Sequence, residues 1–398
     1  MRNLVLLALL FCGNLSFAQN QTFTLASYNS LRYSPTNLDD RHPPLRVIMN
    51  QLKPDILCVQ ELSGLASAQM YLDSVLNIDS TTYSMATFID GNRLDIALYY
   101  KTHKFSFLST TNYPTLLRDI FHFQLIPNQA FDTLHIFGVH LKASAGSSDK
   151  ARRKDEVDVI RQVTDQFAAG KSFLVCGDFN IYSATEPAYI RLLENTGNND
   201  GHFIDQLSLS GTWNNANFAQ HHTQSPRTNA FNGGATGGMD DRFDMILMSE
   251  ALNDSKGLHY LPGSMYAFGN DGLRYNQAIN GLPTNSAVGQ IIADALHQAS
   301  DHIPVVAEFK YYVSGVSQPE IKHFSVSIAN TPLGLSVVNP ENRNIKIEIY
   351  LLDGRKISST QASQTVSLKA PSNQMCFVSV LDLSTGSHMG KLITLQGK

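Results

Sequence analysis

Eight residues have types and spacing that could do chemistry together: Asn29, Glu61, His140, Asp178, Asn180, Asp244, Asp301 and His302. They sit at the ends of apolar runs that read as strands. A strand buried along its length ends in the mouth of a fold, so polar side chains at several such ends can converge. Carboxylates, amides and imidazoles brought together suit a hydrolase that uses a hard cation. Mg2+ takes oxygen ligands, usually only one or two of them protein carboxylates, with water and substrate phosphate filling the rest. Singly, each residue has a plainer explanation. Glu61 could cap a following helix, Asp178 and Asn180 could form a turn, His140 could be a satisfied core histidine, and Asp301-His302 could simply enter a strand before Pro304. The joint pattern is what points to a site.

The elements that must position these residues alternate between two periodicities. Thr22–Tyr28 reads as a strand. Leu45, Ile48, Met49 and Leu52 have helical spacing that ends at Pro54. Asp55–Gln60, Leu94–Tyr100, Leu134–Val139, Ser172–Cys176, Asp244–Met248 and Pro304–Phe309 are apolar strand patterns. Between them, Ser148 or Asp149 caps a helix predicted to run to Ala169, with Val157, Ile160, Val163 and Phe167 as its stripe and Gly170 ending it. Residues 201–241, rich in Asn, Gln, His and Gly, read as a long surface loop where substrate selection would sit. After Phe309 the composition shifts. A Ser/Gly/Gln/Pro linker gives way to short strand patterns at Phe324–Ile328, Leu335–Val338, Ile345–Leu351, Thr365–Leu368, Phe377–Leu381 and Lys391–Leu395, with no helical stripe.

The 398 residues suffice for about two or three domains. With 43% hydrophobic residues the chain can build a large core, and a formal net charge of −4 does not advertise a tight polyanion binder. At the N-terminus, Arg2, the apolar run Leu4–Phe11 and Ser16-Phe17-Ala18 fit an export signal cleaved before Gln19. The run is too short to span a membrane. Bulky Phe11 before Cys12 argues against an acyl anchor. Cys58, Cys176 and Cys376 remain, an odd number, and read as small core residues rather than a disulfide framework. No Cys/His zinc spacing occurs.

The ordered set Asn29, Val59-Gln60-Glu61, Gly138-Val139-His140-Leu141-Lys142, Gly177-Asp178-Phe179-Asn180, Arg242-Phe243-Asp244 and Ser300-Asp301-His302-Ile303-Pro304 resembles the endonuclease/exonuclease/phosphatase superfamily. That superfamily includes deoxyribonuclease-I-like nucleases, abasic-site endonucleases, sphingomyelinases and inositol-phosphate phosphatases. The resemblance covers residues 19–310 and implies a four-layer αββα sandwich, DNase-I-like. It implies Mg2+, with Mn2+ or Ca2+ as alternatives, held by Glu61 with Asn29 and Asp301. It makes His302 the general base partnered by Asp244, makes His140 the phosphate-binding residue that protonates the leaving oxygen, and has Asp178 and Asn180 hold the nucleophilic water and the phosphate. Asp95 stands as the acidic partner of His140. Arg93 and Lys142 are candidate phosphate contacts. Arg152 and Arg153 are either further contacts or a solvated helix face.

The last part of the chain carries a second resemblance. Asn339-Pro340, Ile349–Arg355 and Lys391-Leu392-Ile393 look like a type IX secretion sorting domain of Bacteroidetes, although Met375-Cys376-Phe377 stands where a Gly-x-Tyr is usual. The expected organisation is a signal peptide at 1–18, a catalytic domain at 19–310, a linker at 311–322 and a small all-β sandwich domain at 323–398. A carbohydrate- or protein-binding fibronectin-like module is the alternative for the last. The combined expectation is an enzyme without a stable membrane span, exported through the periplasm by the type IX machinery to the cell surface or medium. It would hydrolyse phosphodiester bonds in nucleic acid. A phospholipid or sugar-phosphate substrate, and an inactive exported binding protein, are the competing readings.

Overall fold

The computed structural model describes residues 20–36, 41–78, 82–130, 132–197, 201–254, 257–313, 326–331, 334–351, 355–368, 375–384 and 388–394. The export segment expected at 1–18 lies outside them. The chain divides into two compact units, Phe17–Ser314 and a second containing Gly315–Lys398.

In the first unit, strands that are apolar and buried on both faces at the centre of each sheet stack as two sheets. One sheet runs β10 (His259–Tyr260), β12 (Val305–Tyr312), β1 (Asn20–Tyr33), β2 (Ile56–Leu62), β4 (Asp95–Lys101), β3 (Tyr83–Met85), with β11 (Tyr266–Ala267) also on β12. The other runs β5 (Phe105–Tyr113), β6 (Ile120–Pro127), β7 (Leu134–His140), β8 (Phe173–Asp178), β9 (Asp244–Met248). Alternation sorts the side chains. Phe23, Leu25, Cys58, Ile96 and Leu98 from the first sheet meet Phe123, Ile136, Cys176 and Ile246 from the second in a shared core. Cys58 and Cys176 are free and buried there, as small core residues should be. The opposite face of the first sheet is covered by α1 (His42–Leu52), α2 (Gly64–Tyr71) and α6 (Gly289–Ala299), through Leu45, Ile48, Ala68, Tyr71, Ala295 and Leu296. The opposite face of the second is covered by α3 (Ser147–Thr164) and α4 (Pro187–Leu193), and the single turn α5 (Glu250–Asn253) follows β9. The layers are therefore helix, sheet, sheet, helix. Among the described residues no helix is long and apolar enough to cross a membrane.

Several expectations need correction. Helix α3 stops at Thr164 rather than Ala169, because Gln166 N and Phe167 N bond to Val163 O and Thr164 O, the tighter three-residue pattern of a helix end. Strands β5 and β6 and helix α6 were not anticipated. The 201–241 segment is not mainly surface. Phe203, Asp205, Trp213, His222, Thr223, Ser225 and Arg227 are buried within it. A loop can enter the interior only if its backbone polar groups find partners, and here side chains supply them. His222 bridges Trp213 O (2.7 Å) and Met239 O (3.2 Å). Arg227 donates to the carbonyls of Phe231, Gly233, His297 and Gln298.

The second unit is all strand among its described residues. It has a three-stranded sheet, β13 (Ser327–Thr331), β14 (Gly334–Val338), β17 (Val366–Leu368), and a four-stranded one, β16 (Lys356–Ala362), β15 (Ile345–Leu351), β18 (Met375–Asp382), β19 (His388–Thr394). Ile345, Ile347 and Ile349 alternate inward against Cys376, Val378 and Val380. The polar strand β16 was not anticipated.

Candidate active site

Strand direction brings the motif residues to one end of the sandwich. β1 and β2 run parallel, setting Asn29 beside Gln60. β12 runs antiparallel to β1, so Asp301 and His302, just before it, lie at the same end. In the second sheet, β7 and β8 are parallel and pair His140 with Asp178, while antiparallel β9 pairs Asp244 with Asp178. Two backbone features hold these ends. A Cβ at Gly177, where φ is +146°, would lie 1.9 Å from Val139 O, so only glycine lets Asp178 follow in place. Glu61 itself has φ +63°, a left-handed conformation rare for a non-glycine residue. Its carboxylate is fixed from both sides, Oε2 by Arg32 N at 2.8 Å and Oε1 by Asn29 Nδ2 at 3.1 Å.

Asn29 is the hub between the sheets. Its Nδ2 donates to Glu61 Oε1 and to Asp178 Oδ2, each at 3.1 Å, and lies 3.5 Å from His302 Nε2. Its Oδ1 accepts from Leu31 N. Asn29 therefore tethers two carboxylates through its nitrogen, whereas the expectation was an oxygen offered to a cation. His140 Nε2 stands 3.7 Å from Glu61 Oε1 and 3.6 Å from Asp178 Oδ2. Asp178 Oδ1 accepts from Asn180 N, and Asn180, at φ +50°, turns its Nδ2 to Leu141 O. His302 Nδ1 is 2.7 Å from Asp244 Oδ2, a carboxylate–imidazole pair of the kind that fixes a base's tautomer.

The electrostatics are those of crowded, buried charges. Burial pushes the Asp178 carboxyl up to about 7, with Asp244 and Glu61 adding to it and His302 opposing. Burial takes His140 down to about 4. Burial would lower His302 too, but the carboxylates of Asp244, Asp178 and Asp301 together hold it well above the ordinary imidazole value. Glu61, Asp178 and His140 present donor atoms all within 4.8 Å of one another. Two carboxylates and an imidazole converging, one carboxylate so short of positive charge that it holds its proton near neutrality, fit a hard divalent cation.

Other expected residues take different places. Asp301 belongs to the 224–235 loop: its Oδ2 accepts from Ala235 N at 2.6 Å, and a Cβ on Gly234 would fall 2.7 Å from its carboxylate. Asp95 does not partner His140. Its two oxygens accept from Gly91 N and Gly64 N, and His140 Nδ1 is left buried without a partner among the described residues. Lys142 is engaged by Asp149 at 3.0 Å, and Arg93 and Arg152 are exposed. Arg153 is neither phosphate contact nor solvated face. It is fully buried and paired with Glu186 at 2.7 Å. Two neighbours of the site were missed. Gln224 Nε2 lies 2.6 Å from His302 Nε2, and Thr223 Oγ1 accepts from Phe243 N and Asp244 N. Both come from the irregular 201–241 segment, where no periodicity marks which side chain faces inward.

A buried carboxylate–imidazole set at the open end of a two-sheet sandwich defines a hydrolase of phosphoric esters that works with a divalent cation. Residues 26–302 match the model of the Endonuclease/Exonuclease/phosphatase family, and the chain belongs to that family. Its fold is similar to that of D. rerio TDP2 complexed with single strand DNA product, at 17% identity over 72% of this chain and 98% of that one, with a TM-score of 0.50. Weaker likenesses are to an endonuclease/exonuclease/phosphatase family protein from Bacteroides thetaiotaomicron (15% identity, 74% of this chain and 97% of that one, TM-score 0.48) and to the human Nocturnin catalytic domain with bound sulfate anion (16%, 74% and 97%, 0.46). At these identities the likeness speaks for the fold. No curated protein sequence matches the chain.

Proposed function

We propose that this protein is an exported endonuclease that hydrolyses phosphodiester bonds in DNA or RNA, using Mg2+ or Mn2+. The observation that carries the reading is the gathering of two imidazoles with three carboxylates in one cluster: His302 on Asp244, and His140 facing Glu61 and Asp178. Glu61 and Asp178, with His140 beside them, would hold the cation, which supplies Lewis-acid polarisation of a phosphoryl oxygen.

The chain's own groups would divide the rest. Asp244 fixes His302 with Nδ1–H donated to it, so Nε2, which lies 2.6 Å from Gln224 Nε2, is the ring nitrogen left to take a proton from water. The water oxygen forms the new bond to phosphorus as the bond to the leaving oxygen breaks. His140 gives a proton to the leaving oxygen and so must enter the step as imidazolium, a form that a substrate phosphate beside it favours against the low value burial gives the empty ring; the proton His302 takes from the water balances the one His140 gives. Asn29 and Asn180 hold the two carboxylates and the β8 turn in register. The relative bound to a single-strand DNA product supports nucleic acid as substrate. Export rests on the sequence alone, through residues 1–18 and the sorting-domain resemblance of 323–398.

The purified chain should nick supercoiled plasmid or cut RNA with Mg2+ or Mn2+ and stop when EDTA is added. Glu61→Gln should raise the cation concentration for half-maximal rate by about 10- to 100-fold, whereas Asp301→Asn should shift it by less than about threefold. Equal shifts would return Asp301 to the cation. Intact plasmid and RNA under all these conditions would sink the nuclease reading.

A further inference from the structure

The peptide group that fixes Glu61 is itself held from behind. The pairing of β1 with β2 breaks between Asn29 and Tyr33, where Leu31 (φ +47°) and Arg32 (φ +46°) both turn left-handed. Two successive non-glycine residues in that region are strained, so the surrounding structure must hold them there. The holder is Arg41, 5% exposed, which enters α1 where Pro43 and Pro44 stiffen the backbone. Its Nη1 lies 2.8 Å from Ser30 O, 2.8 Å from Leu31 O and 3.4 Å from Ala299 O. The buried Arg153, Arg161, Arg242 and Arg274 each have a carboxylate partner. Among the described residues Arg41 hydrogen-bonds to backbone carbonyls instead.

The two close carbonyls belong to peptide groups that reach Glu61 from their other ends. Leu31 C=O and Arg32 N–H are one peptide group. Its oxygen accepts from Arg41 and its N–H donates to Glu61 Oε2, both at 2.8 Å. Ser30 C=O and Leu31 N–H are the peptide group before it. That oxygen also accepts from Arg41, and that N–H donates to Asn29 Oδ1 at 3.0 Å. Asn29 Nδ2 in turn donates to Glu61 Oε1 at 3.1 Å. One guanidinium is thus joined through two amide relays to both oxygens of one carboxylate. Hydrogen bonds in such a chain polarise one another, because a cation on a carbonyl makes the N–H of the same amide a stronger donor. The third carbonyl, Ala299 O, comes just before Ser300, whose Oγ donates to Asn29 O at 2.7 Å. The same side chain therefore ties the end of α6 to the strained turn.

We propose that Arg41 is the positioning residue of the cation site, holding the Glu61 carboxylate in its binding orientation through the Ser30–Leu31 and Leu31–Arg32 peptide groups. The proposal rests on reading Glu61 as a cation ligand. It does not depend on whether the ester cleaved is nucleic acid. Groups that orient a metal ligand from behind set affinity nearly as strongly as the ligand does. Only a planar guanidinium presents its charge to two neighbouring carbonyls in fixed geometry.

The test titrates the full chain with Mn2+ by calorimetry, with no substrate present. Hydrogen exchange of the peptide containing Leu31 and Arg32 is followed by mass spectrometry without cation. Arg41→Met should raise the Kd for Mn2+ by about 10- to 100-fold and speed exchange in that peptide. Arg41→Lys should give an intermediate Kd, since an ammonium can still hold one carbonyl, and it carries the same comparison where Arg41→Met does not fold. Asp205→Ala loosens the same unit at a distance from this turn and should leave the Kd near the native value. A rise in Kd for Arg41→Met alone therefore supports positioning over general loosening. A native Kd and native exchange in the Arg41 variants, or an equal rise in Kd for Asp205→Ala, would overturn the proposal. Native chain that binds no Mn2+ would overturn the cation reading itself, and exchange at Arg32 would still decide whether Arg41 holds the turn.

Discussion

His302→Ala is expected to lower kcat by about 10²- to 10⁴-fold, the range a positioned general base contributes, with the fold retained. The geometry makes the prediction specific. His302 Nδ1 is 2.7 Å from Asp244 Oδ2, and both side chains are buried, so the donated proton is directed to that carboxylate and the ring cannot swing. The other ring nitrogen faces Gln224 Nε2 at 2.6 Å and Asn29 Nδ2 at 3.5 Å. Two amide N–H groups facing one nitrogen favour its unprotonated form, the form a base needs, whereas the surrounding carboxylates favour the imidazolium. Removing Asp244 alone should therefore also be severe, because the ring then loses its fixed tautomer. Asp244→Asn should approach the His302→Ala rate, and the double variant should be little worse than either, as residues acting as one unit are not additive. Added imidazole should restore part of the His302→Ala rate and none of the Glu61→Gln rate. The measurement is single-turnover cleavage of plasmid or ester, with melting curves to verify folding. A His302→Ala chain within tenfold of native would move the base elsewhere.

How much of this was legible before the structure depends on what kind of element carries each residue. Asn29, Glu61, His140, Asp178 and Asp244 sit where continuous apolar strands end, and a polar residue closing an apolar run stands out in any sequence. Faces and directions were harder. Asp95 opens β4, but a strand's position does not say which loops its side chain will tie, and here it ties Gly64 and Gly91. Arg153 was legible in principle. It extends the stripe of Val157 and Ile160 by one helical turn, which is where a buried position falls, and its charge obscured the pattern. Helix α6 carried its stripe in Ile292, Ala295, Leu296 and Ala299 and could have been read the same way. Gln224 and Thr223 were not legible. They reach the site from irregular backbone, whose path is set by tertiary partners such as Asp241 and His302 rather than by any local period.

Asp205→Ala should destabilise the catalytic unit by about 3–5 kcal/mol, the cost of stranding a buried partner charge. Asp205 and Arg242 are bound through two hydrogen bonds, at 2.8 and 2.9 Å, with both side chains 2% exposed. Tyr189 OH and Leu207 N complete the carboxylate's partners, and the Arg242 guanidinium lies 4.9 Å over the Trp213 ring. Without Asp205 that guanidinium keeps its desolvation and loses its counterion. Replacing both, as Asp205→Leu with Arg242→Met, should recover much of the loss, because a well-packed apolar pair avoids the stranded charge. Burial would raise the Asp205 pKa, but Arg242 and the hydrogen bonds outweigh it and hold the folded value below the usual 3.8. The sign follows: the carboxylate contributes stability fully above about pH 4 and loses it as pH falls through the lower folded value. The gap between native and Asp205→Ala should therefore narrow below that pH. Trp213 is the chain's single tryptophan, so its fluorescence in urea reports this unfolding directly. Arg242 also stands two residues before Asp244 in the strand entry that Thr223 secures. Even at temperatures where Asp205→Ala stays folded, its kcat should fall while cation affinity holds, since Asp244 orients the base and Glu61 does not depend on this loop. A variant with native stability and lowered cation affinity would mean that the pair serves the Glu61 cluster and not β9.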